Sequence, residues 1–320
     1  PAIFVVLWST GWIAARFAMP YAEPFTFLAL RYVLACVAKD PSAELVALEV
    51  RARLRARDWL QTRLPRDARV FQILFLAALL GTGVVARDFA LHGQQVALTF
   101  ATGLVTQLLW ACALNLPKRN WLSAVITCFG LSILLRADSL WVHPLAVCLA
   151  LSAKFVMRIG NKHVFNPANL GVIAAITLLP GAWISPGQWG NDLAYAAWFL
   201  MLGSLVTQRA RRWDISWVFL LAFLGLIALR VVWLEQSWAV LAHQLQSGAL
   251  LLFAFFMISD PMTIPNHRRA RVFYALVVAS AAFAWQYVLF KPNALVWSLF
   301  LAAPLVPLLD RWFPAQKHAW

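Results

Sequence analysis

Two polar stretches interrupt an otherwise apolar chain, and they hold the residues whose types and spacing can do chemistry. The first is SAKFVMRIGNKHVFNPANLG, residues 152–171. Pro167 has no backbone N–H to donate and biases Asn166 away from helical conformation, so a helix arriving over residues 140–156 must end before it. Asn166 is then a cap, and Pro167 the first residue of a new helix. That helix starts with unpaired N–H groups and a partial positive charge, close in sequence to Lys154, Arg158, Lys162 and His163. Together they are expected to attract an anion or a phosphate. A capped helix with interfacial cations is the plainer alternative. Asn169 and Gly171 follow in the same helix and complete this half of a candidate cofactor-binding or translocation site.

The second stretch, FFMISDPMTIPNHRRAR, residues 255–271, repeats the device with Asp260 as the cap, Pro261 at the first helical position and Thr263 beside it. Pro265 follows so soon that a short turn is expected rather than a long helix. Asp260 comes directly after the uninterrupted apolar run 249–258. An ionisable residue at membrane depth is a functional candidate, whereas one at the edge is often only a cap.

What must position these residues follows from composition. The chain is 62% hydrophobic and 12% charged, and its mean hydropathy is +0.72. Soluble domains are only roughly 45–50% apolar, so a helical membrane protein is expected. Candidate spans lie near 2–19, 25–38, 70–86, 95–114, 121–135, 140–156, 168–184, 193–208, 215–234, 239–258, 272–290 and 294–309. Several are short for a hydrocarbon layer of about 30 Å, and the run 140–156, which carries Lys154, is a candidate for a tilted or discontinuous helix.

The net charge of +14 sits at the ends of these runs. Arg-rich segments before residue 70 and around 117–119, 209–212 and 268–271 alternate with cation-poor loops at 87–94, 136–139, 185–192 and 235–238. That alternation fits the positive-inside rule, with both termini cytoplasmic and the protein in the inner (plasma) membrane, and speaks against nucleic acid as a partner. Among the 17 tryptophans, Trp121, Trp141, Trp183, Trp189, Trp213, Trp233 and Trp312 stand near run ends, as in an interfacial aromatic belt.

Other chemistries lack their signatures. The four cysteines, Cys36, Cys112, Cys128 and Cys148, are isolated in apolar runs, where small buried hydrophobes are expected rather than metal ligands or disulfides. The histidines lack ligand spacing, and no metal site is expected; His163 and His267, beside the x-Pro motifs, are candidates for a proton relay. No Walker loop, G-x-G-x-x-G, H-E-x-x-H or G-x-S-x-G occurs.

An internal repeat is also legible. GLVTQ at 103–107 returns as SLVTQ at 204–208, each followed by basic residues and a Trp, PKRNW at 117–121 and RARRW at 209–213. GLSILLR at 130–136 then matches GLIALR at 225–230, and the same order sets Asn166-Pro167 against Asp260-Pro261. Duplicated membrane proteins often place their site where the repeats meet, on interrupted helices.

The 152–171 stretch, together with LLLFAFFMISDPMTIP at 250–265, resembles the two signature segments of a known family. That family contains the B-type membrane component of the sodium-pumping NADH:quinone reductase and the D-type membrane component of the Rnf electron-transport complex, and the resemblance runs over about residues 66–312. It implies a membrane protein of about ten helices, internally duplicated and similar to urea channels. It also implies flavin and a coupling of electron transfer to Na+ or H+ movement, in company with other membrane and peripheral subunits. The family esterifies FMN to a Thr in a Ser-Gly-Ala-Thr segment, on the outer side after the Asn-Pro helix. Here that region reads ISPGQWGNDLAY, without Thr, and QSGALLL at 246–252 has Leu250 in the Thr position. Covalent FMN is therefore not expected, and non-covalent FMN or riboflavin stays open.

Four parts are expected. VVLWSTGWIAARFAMPYAEPFTFLALRYVLA resembles the start of an EamA-type drug/metabolite transporter, so residues 1–38 read as a transmembrane fragment, a fused remnant or gene-model join. The absence of Met at position 1 leads to the expectation of an upstream segment. Residues 39–69 read as a basic, amphipathic cytoplasmic linker, 70–312 as the duplicated membrane domain and 313–320 as a cytoplasmic tail. The functional expectation is a membrane subunit of a redox-driven ion-translocating complex. A channel or carrier for a small polar solute and a flavin-free assembly subunit remain as rivals.

Overall fold

The structure is a computed structural model of the chain, describing residues 67–86, 91–116, 121–160, 162–185 and 193–316. The chain divides into two compact units, Pro1–Arg66 and Asp67–Trp320. The EamA-like fragment, almost all of the linker and the loop 186–192 lie outside the described residues.

Helices α1 (Ala68–Ala86), α2 (Gly93–Ala113) and α3 (Trp121–Leu134) lead into a short strand β1 (Leu135–Ala137). Helix α4 (Val142–Val156) is followed by a hairpin of β2 (Arg158–Ile159) and β3 (Lys162–His163), then α5 (Pro167–Leu178) and strand β4 (Ala182–Ile184). The second half comprises α6 (Leu193–Arg209), α7 (Trp213–Trp233), α8 (Ala239–Leu245) and α9 (Gly248–Leu252), the last widening into a π-type turn over Phe253–Met257. Helices α10 (Arg268–Tyr287), α11 (Ala294–Ala302) and α12 (Leu305–Trp312) complete it.

Burial runs opposite to that of a soluble helix. Helix α2 buries Gln95, Thr99, Thr106 and Gln107 and exposes Leu104, Val105, Leu108 and Leu109. Polar atoms inside and apolar ones outside is the arrangement that suits hydrocarbon surroundings, because no water there can satisfy a polar side chain. Among the described residues, three helices are long and apolar enough to cross a membrane, or up to five if each bent pair counts as one span. This is a multi-pass helical membrane protein. Trp121, Trp141, Trp183, Trp213, Trp233 and Trp312 are all exposed, as an interfacial belt requires. Cys128 is buried as expected, whereas Cys112 and Cys148 are exposed.

Most expected runs become helices, with three differences. The run 168–184 is not one helix: Pro180 cannot continue the ladder and Gly181 turns at φ +70°, so the chain leaves α5 and forms β4. There Leu135 pairs with Ile184 and Ala137 with Ala182, antiparallel, one of two small departures from the all-helical expectation. The run 239–258 bends by 47° between α8 and α9, where Ser247 caps the second piece, and 294–309 bends by 48° between α11 and α12 at Pro304. Broken helices expose backbone groups that need partners, so they mark where a membrane protein builds a polar interior.

Candidate functional site

Asn166 caps α5 as expected: its side-chain Oδ1 accepts the Asn169 N–H at 3.1 Å, with Pro167 at the first helical position. Its amide NH2 then points across the bundle, donating to the Met257 carbonyl and to Asp260 Oδ2, each at 3.4 Å. The two x-Pro motifs, 94 residues apart, therefore meet.

Asp260 corrects one expectation. It opens no helix; Oδ1 accepts from the Met262 N–H at 3.0 Å, its carbonyl accepts from the Thr263 N–H and hydroxyl, and the next helix begins only at Arg268. Pro265 explains this, since it removes the donor that would close the first full turn; Pro261 alone would not, as Pro167 shows by opening α5. Thr263 is thus a brace of the turn. Pro261 lines a neighbouring cavity.

The expected cluster of cations gathers only in part: Lys154 and Arg158 lie near His163, but neither Lys154 nor Lys162 bonds to Asn166. Lys154 is buried and donates to Gln107 Oε1 at 3.1 Å, 5.3 Å from the Phe155 ring centroid. Lys162 turns the other way, to Asp310 Oδ2 at 2.6 Å and the Ile264 carbonyl. The carboxylate of Asp260 is the charged group bonded to Asn166, and Arg69 lines the same cavity, so charges of both signs meet there. Asn169 ties α5 to α11 through the Val296 carbonyl at 3.1 Å. Gly171 serves close packing: a Cβ there would lie 2.9 Å from the Ala146 carbonyl oxygen and from Ala150 Cβ on α4.

A cavity of about 70 Å³ surrounds the Asn166–Asp260 pair, enough for a few waters or a partly hydrated ion. Its further polar lining comes from Arg69, Gln72, Ser123, Thr127 and His163. Only His163 among these stood out in the sequence; Arg69 was one of many arginines before a span, and Thr127 one of many small polar residues in apolar runs. His163 Nδ1 is buried without a hydrogen-bond partner. Burial pushes this imidazole down to about 3, with Lys154 and Arg158 adding repulsion, so it is neutral near pH 7. That argues against a relay role for it.

The small cavity touches two larger ones. Towards the end of the protein that carries Lys162 and Asp310 it shares His163 and Met262 with a cavity of about 310 Å³. Towards the end that carries β4 it shares Ile133, Leu134 and Met257 with a chamber of about 440 Å³. His243, Ser247, Gln286, Lys291 and Asn293 supply polar atoms to that chamber, and Phe223 and Phe253 its apolar wall.

At the first end, Arg271 grips Asp214 through Nε and Nη2, the closest contact 2.7 Å, and also donates to the Asn266 carbonyl. Asn266 N–H in turn donates to Asp310 Oδ1 at 2.8 Å. These links fix the segment after Asp260 to α7, α10 and α12. Burial holds the Lys162 ammonium below its usual value, with Asp310 pulling the other way.

A helical membrane bundle with interrupted helices around one carboxylate is the class that fold and site define. Residues 186–318 match the NQR2, RnfD, RnfE family, and so carry Asp260 and Asp310; Asn166 lies outside the matched stretch. The second signature segment, 250–265, lies within that stretch, whereas the first, 152–171, lies before it. Over 126 residues the chain is 29% identical to the D-type subunit of the ion-translocating oxidoreductase complex of Actinobacillus pleuropneumoniae serotype 5b, covering 39% of this chain and 35% of that protein. The protein of the same name from Klebsiella pneumoniae is 32% identical over 125 residues, 38% of this chain and 34% of its own length. That of Yersinia pestis is 30% identical over 131 residues, 39% of this chain and 37% of its own length. The matched stretch thus spans about a third of these relatives.

Proposed function

We propose that the chain is an integral membrane subunit of a redox-driven ion-translocating electron-transport complex of the Rnf or sodium-pumping quinone reductase type. The observation that carries this reading is the meeting of Asn166 and Asp260 over a small cavity inside a bundle of broken helices. A carboxylate beside the Met257 carbonyl oxygen, in a space of this size, supports Na+ or a hydrated proton as the cargo, with the Asn166 NH2 orienting that carboxylate. The duplicated, urea-channel-like arrangement read from the sequence gives that site its place where the halves meet. Basic loops orient the Lys162 end and both termini to the cytoplasm of an inner (plasma) membrane. Other membrane and peripheral subunits would supply the electrons.

Flavin belongs to this reading in its non-covalent form. The chamber of about 440 Å³ is large enough for one planar ring, with Phe223 and Phe253 as apolar wall and Lys291, Gln286 and Asn293 as polar contacts. Bound FMN or riboflavin would supply one- and two-electron chemistry, and the chain's residues would hold and orient it. The same chamber supports the rival reading, a channel or carrier for a small polar solute, because it shares Ile133, Leu134 and Met257 with the Asn166–Asp260 cavity. The experiment that decides is reconstitution of the complex in vesicles, with ion uptake driven by an electron donor. Uptake that Asp260→Asn abolishes supports the proposal, and donor-independent solute flux with no flavin absorbance in the native protein replaces it with the channel.

A further inference from the structure

We infer that the Lys162–Asp310 ion pair is a latch that closes the path from one end of the protein to Asp260, with the Lys162 ammonium holding the position of a translocated monovalent cation. This rests on the translocation reading above.

The geometry is that of a closure. Lys162 sits in β3, two residues of chain in a hairpin, and reaches 148 positions along the sequence to Asp310 on α12. Its ammonium lies 2.6 Å from Asp310 Oδ2 and also donates to the carbonyl of Ile264, four residues past Asp260. Asp310 Oδ1 holds the Asn266 N–H, so a single carboxylate pins the hairpin, the Asp260 segment and α12 at one point. Both side chains line the cavity of about 310 Å³ that meets the Asp260 cavity at His163 and Met262. The pair is not deeply buried, with side-chain exposures of 15% and 20%, so water and ions can compete for it.

Oxygens hold the ammonium. Asp310 Oδ2 and the Ile264 carbonyl accept from it, and Asn266 Oδ1, on the wall of the same cavity, is buried without a partner. Carboxylate, carbonyl and amide oxygens are the ligands a hard monovalent cation takes, and a Lys ammonium is a tethered mimic of one. Movement of α12 about its 48° bend at Pro304 would carry Asp310 away from Lys162 and uncover Met262, which lines both cavities.

The test is access to a cysteine at position 262, where the two cavities share a wall. Met262→Cys is placed in the full chain with its native cysteines changed to alanine, in vesicles that expose the Lys162 end. Its rate of reaction with a positively charged methanethiosulfonate is then measured. Lys162→Met should raise the rate by about tenfold or more, the change in an opening equilibrium that loss of a charge-assisted hydrogen bond produces. Asp310→Asn, which keeps the shape, should raise it too, and decides the matter if Lys162→Met fails to fold. The swap Lys162→Asp with Asp310→Lys should return the slow rate. Unchanged rates in both single variants, or a swap that stays fast, overturn the latch. Labelling needs no electron donor, so that result leaves the proposed function standing, and a complex that moves no ion leaves the labelling result intact.

Discussion

Asn166 and Asp260, 94 residues apart in sequence, share a hydrogen bond of 3.4 Å, and each also holds its own local turn. One side chain therefore caps a helix with its oxygen and faces a carboxylate with its nitrogen. The cap and the ligand-facing role, alternatives when only the sequence is read, belong to different atoms of the same residue.

That division makes the pair separable by mutation. Asp260→Asn keeps the acceptor for Met262 and removes the charge, so folding should be spared while ion coupling is lost in a reconstituted complex. Asn166→Asp keeps the cap for Asn169 but sets a second carboxylate against Asp260, which should weaken the fold at neutral pH. The double variant Asn166→Asp with Asp260→Asn restores a single charge to the cavity, and recovery of ion uptake in it is the expected result. Full activity in Asp260→Asn alone would reduce both residues to structural caps. Asn166→Ala removes the cap outright and should cost about 1 kcal/mol, read from thermal unfolding.

Helix positions were legible because an apolar run of sufficient length is itself the physical requirement for a span. The bends were not. Polar residues His243, Gln244, Gln246 and Ser247 stand at one bend and Pro304 at the other, but hydropathy averaged over a long apolar run passes over them and reads each as one span. At Asp260 the signal was present in Pro265, which the chain obeys by making a turn in place of a helix. Neighbourhood in sequence misled at Lys154, whose partner Gln107 is 47 residues away on another helix. Arg69 and Thr127 reach the cavity only through packing of α1 and α3, and no local pattern separates them from similar residues elsewhere.

The buried ion pair between Arg271 and Asp214 should matter most to stability at the basic end. Both side chains are 8% exposed, so Arg271→Met would leave a carboxylate unpaired and desolvated. Loss of about 3–5 kcal/mol is expected from such a break. The double change Arg271→Met with Asp214→Leu should recover most of it, as measured by thermal unfolding in detergent. A double variant no better than the single would mean that the pair's bond to the Asn266 carbonyl, and not its charge balance, holds this end.

His163 gives a pH dependence with a definite sign. Its folded value, about 3, lies below the ordinary histidine value, so the unfolded chain binds the proton first. Stability should therefore be fully present above roughly pH 6.5 and decline as pH falls from there towards 3. His163→Gln removes this contribution and should flatten that limb of the curve. Ion uptake, by contrast, should show no step from His163 between pH 5 and 8, because the ring stays neutral throughout. A step in that range that disappears in His163→Gln would restore the proton-relay reading.

Orientation can be read without any activity. Basic residues near span ends set topology, so Arg211, just before Asp214 in the chain, should face the cytoplasm. Arg211→Cys should react with an impermeant thiol reagent only in inverted vesicles, and modification from outside intact cells would overturn the threading.

The flavin prediction follows from a missing nucleophile. With no Thr in ISPGQWGNDLAY and Leu250 at the other Ser-Gly-Ala segment, the chain has no Thr hydroxyl at either place to carry an FMN phosphate ester. Ser247 survives beside Leu250, but its oxygen is engaged as the cap of α9, accepting from Leu250 N–H at 3.5 Å. A denaturing gel of the purified protein should therefore show no flavin fluorescence in its band. Native protein, isolated with its complex, should still absorb near flavin wavelengths and lose that absorbance on denaturation and filtration. Lys291→Ala, which takes a cation from the wall of the chamber, should lower the flavin retained by the native protein and leave the fold unchanged. A fluorescent denatured band would require an attachment residue that neither segment supplies. Native protein without any flavin would leave the chamber to a polar solute.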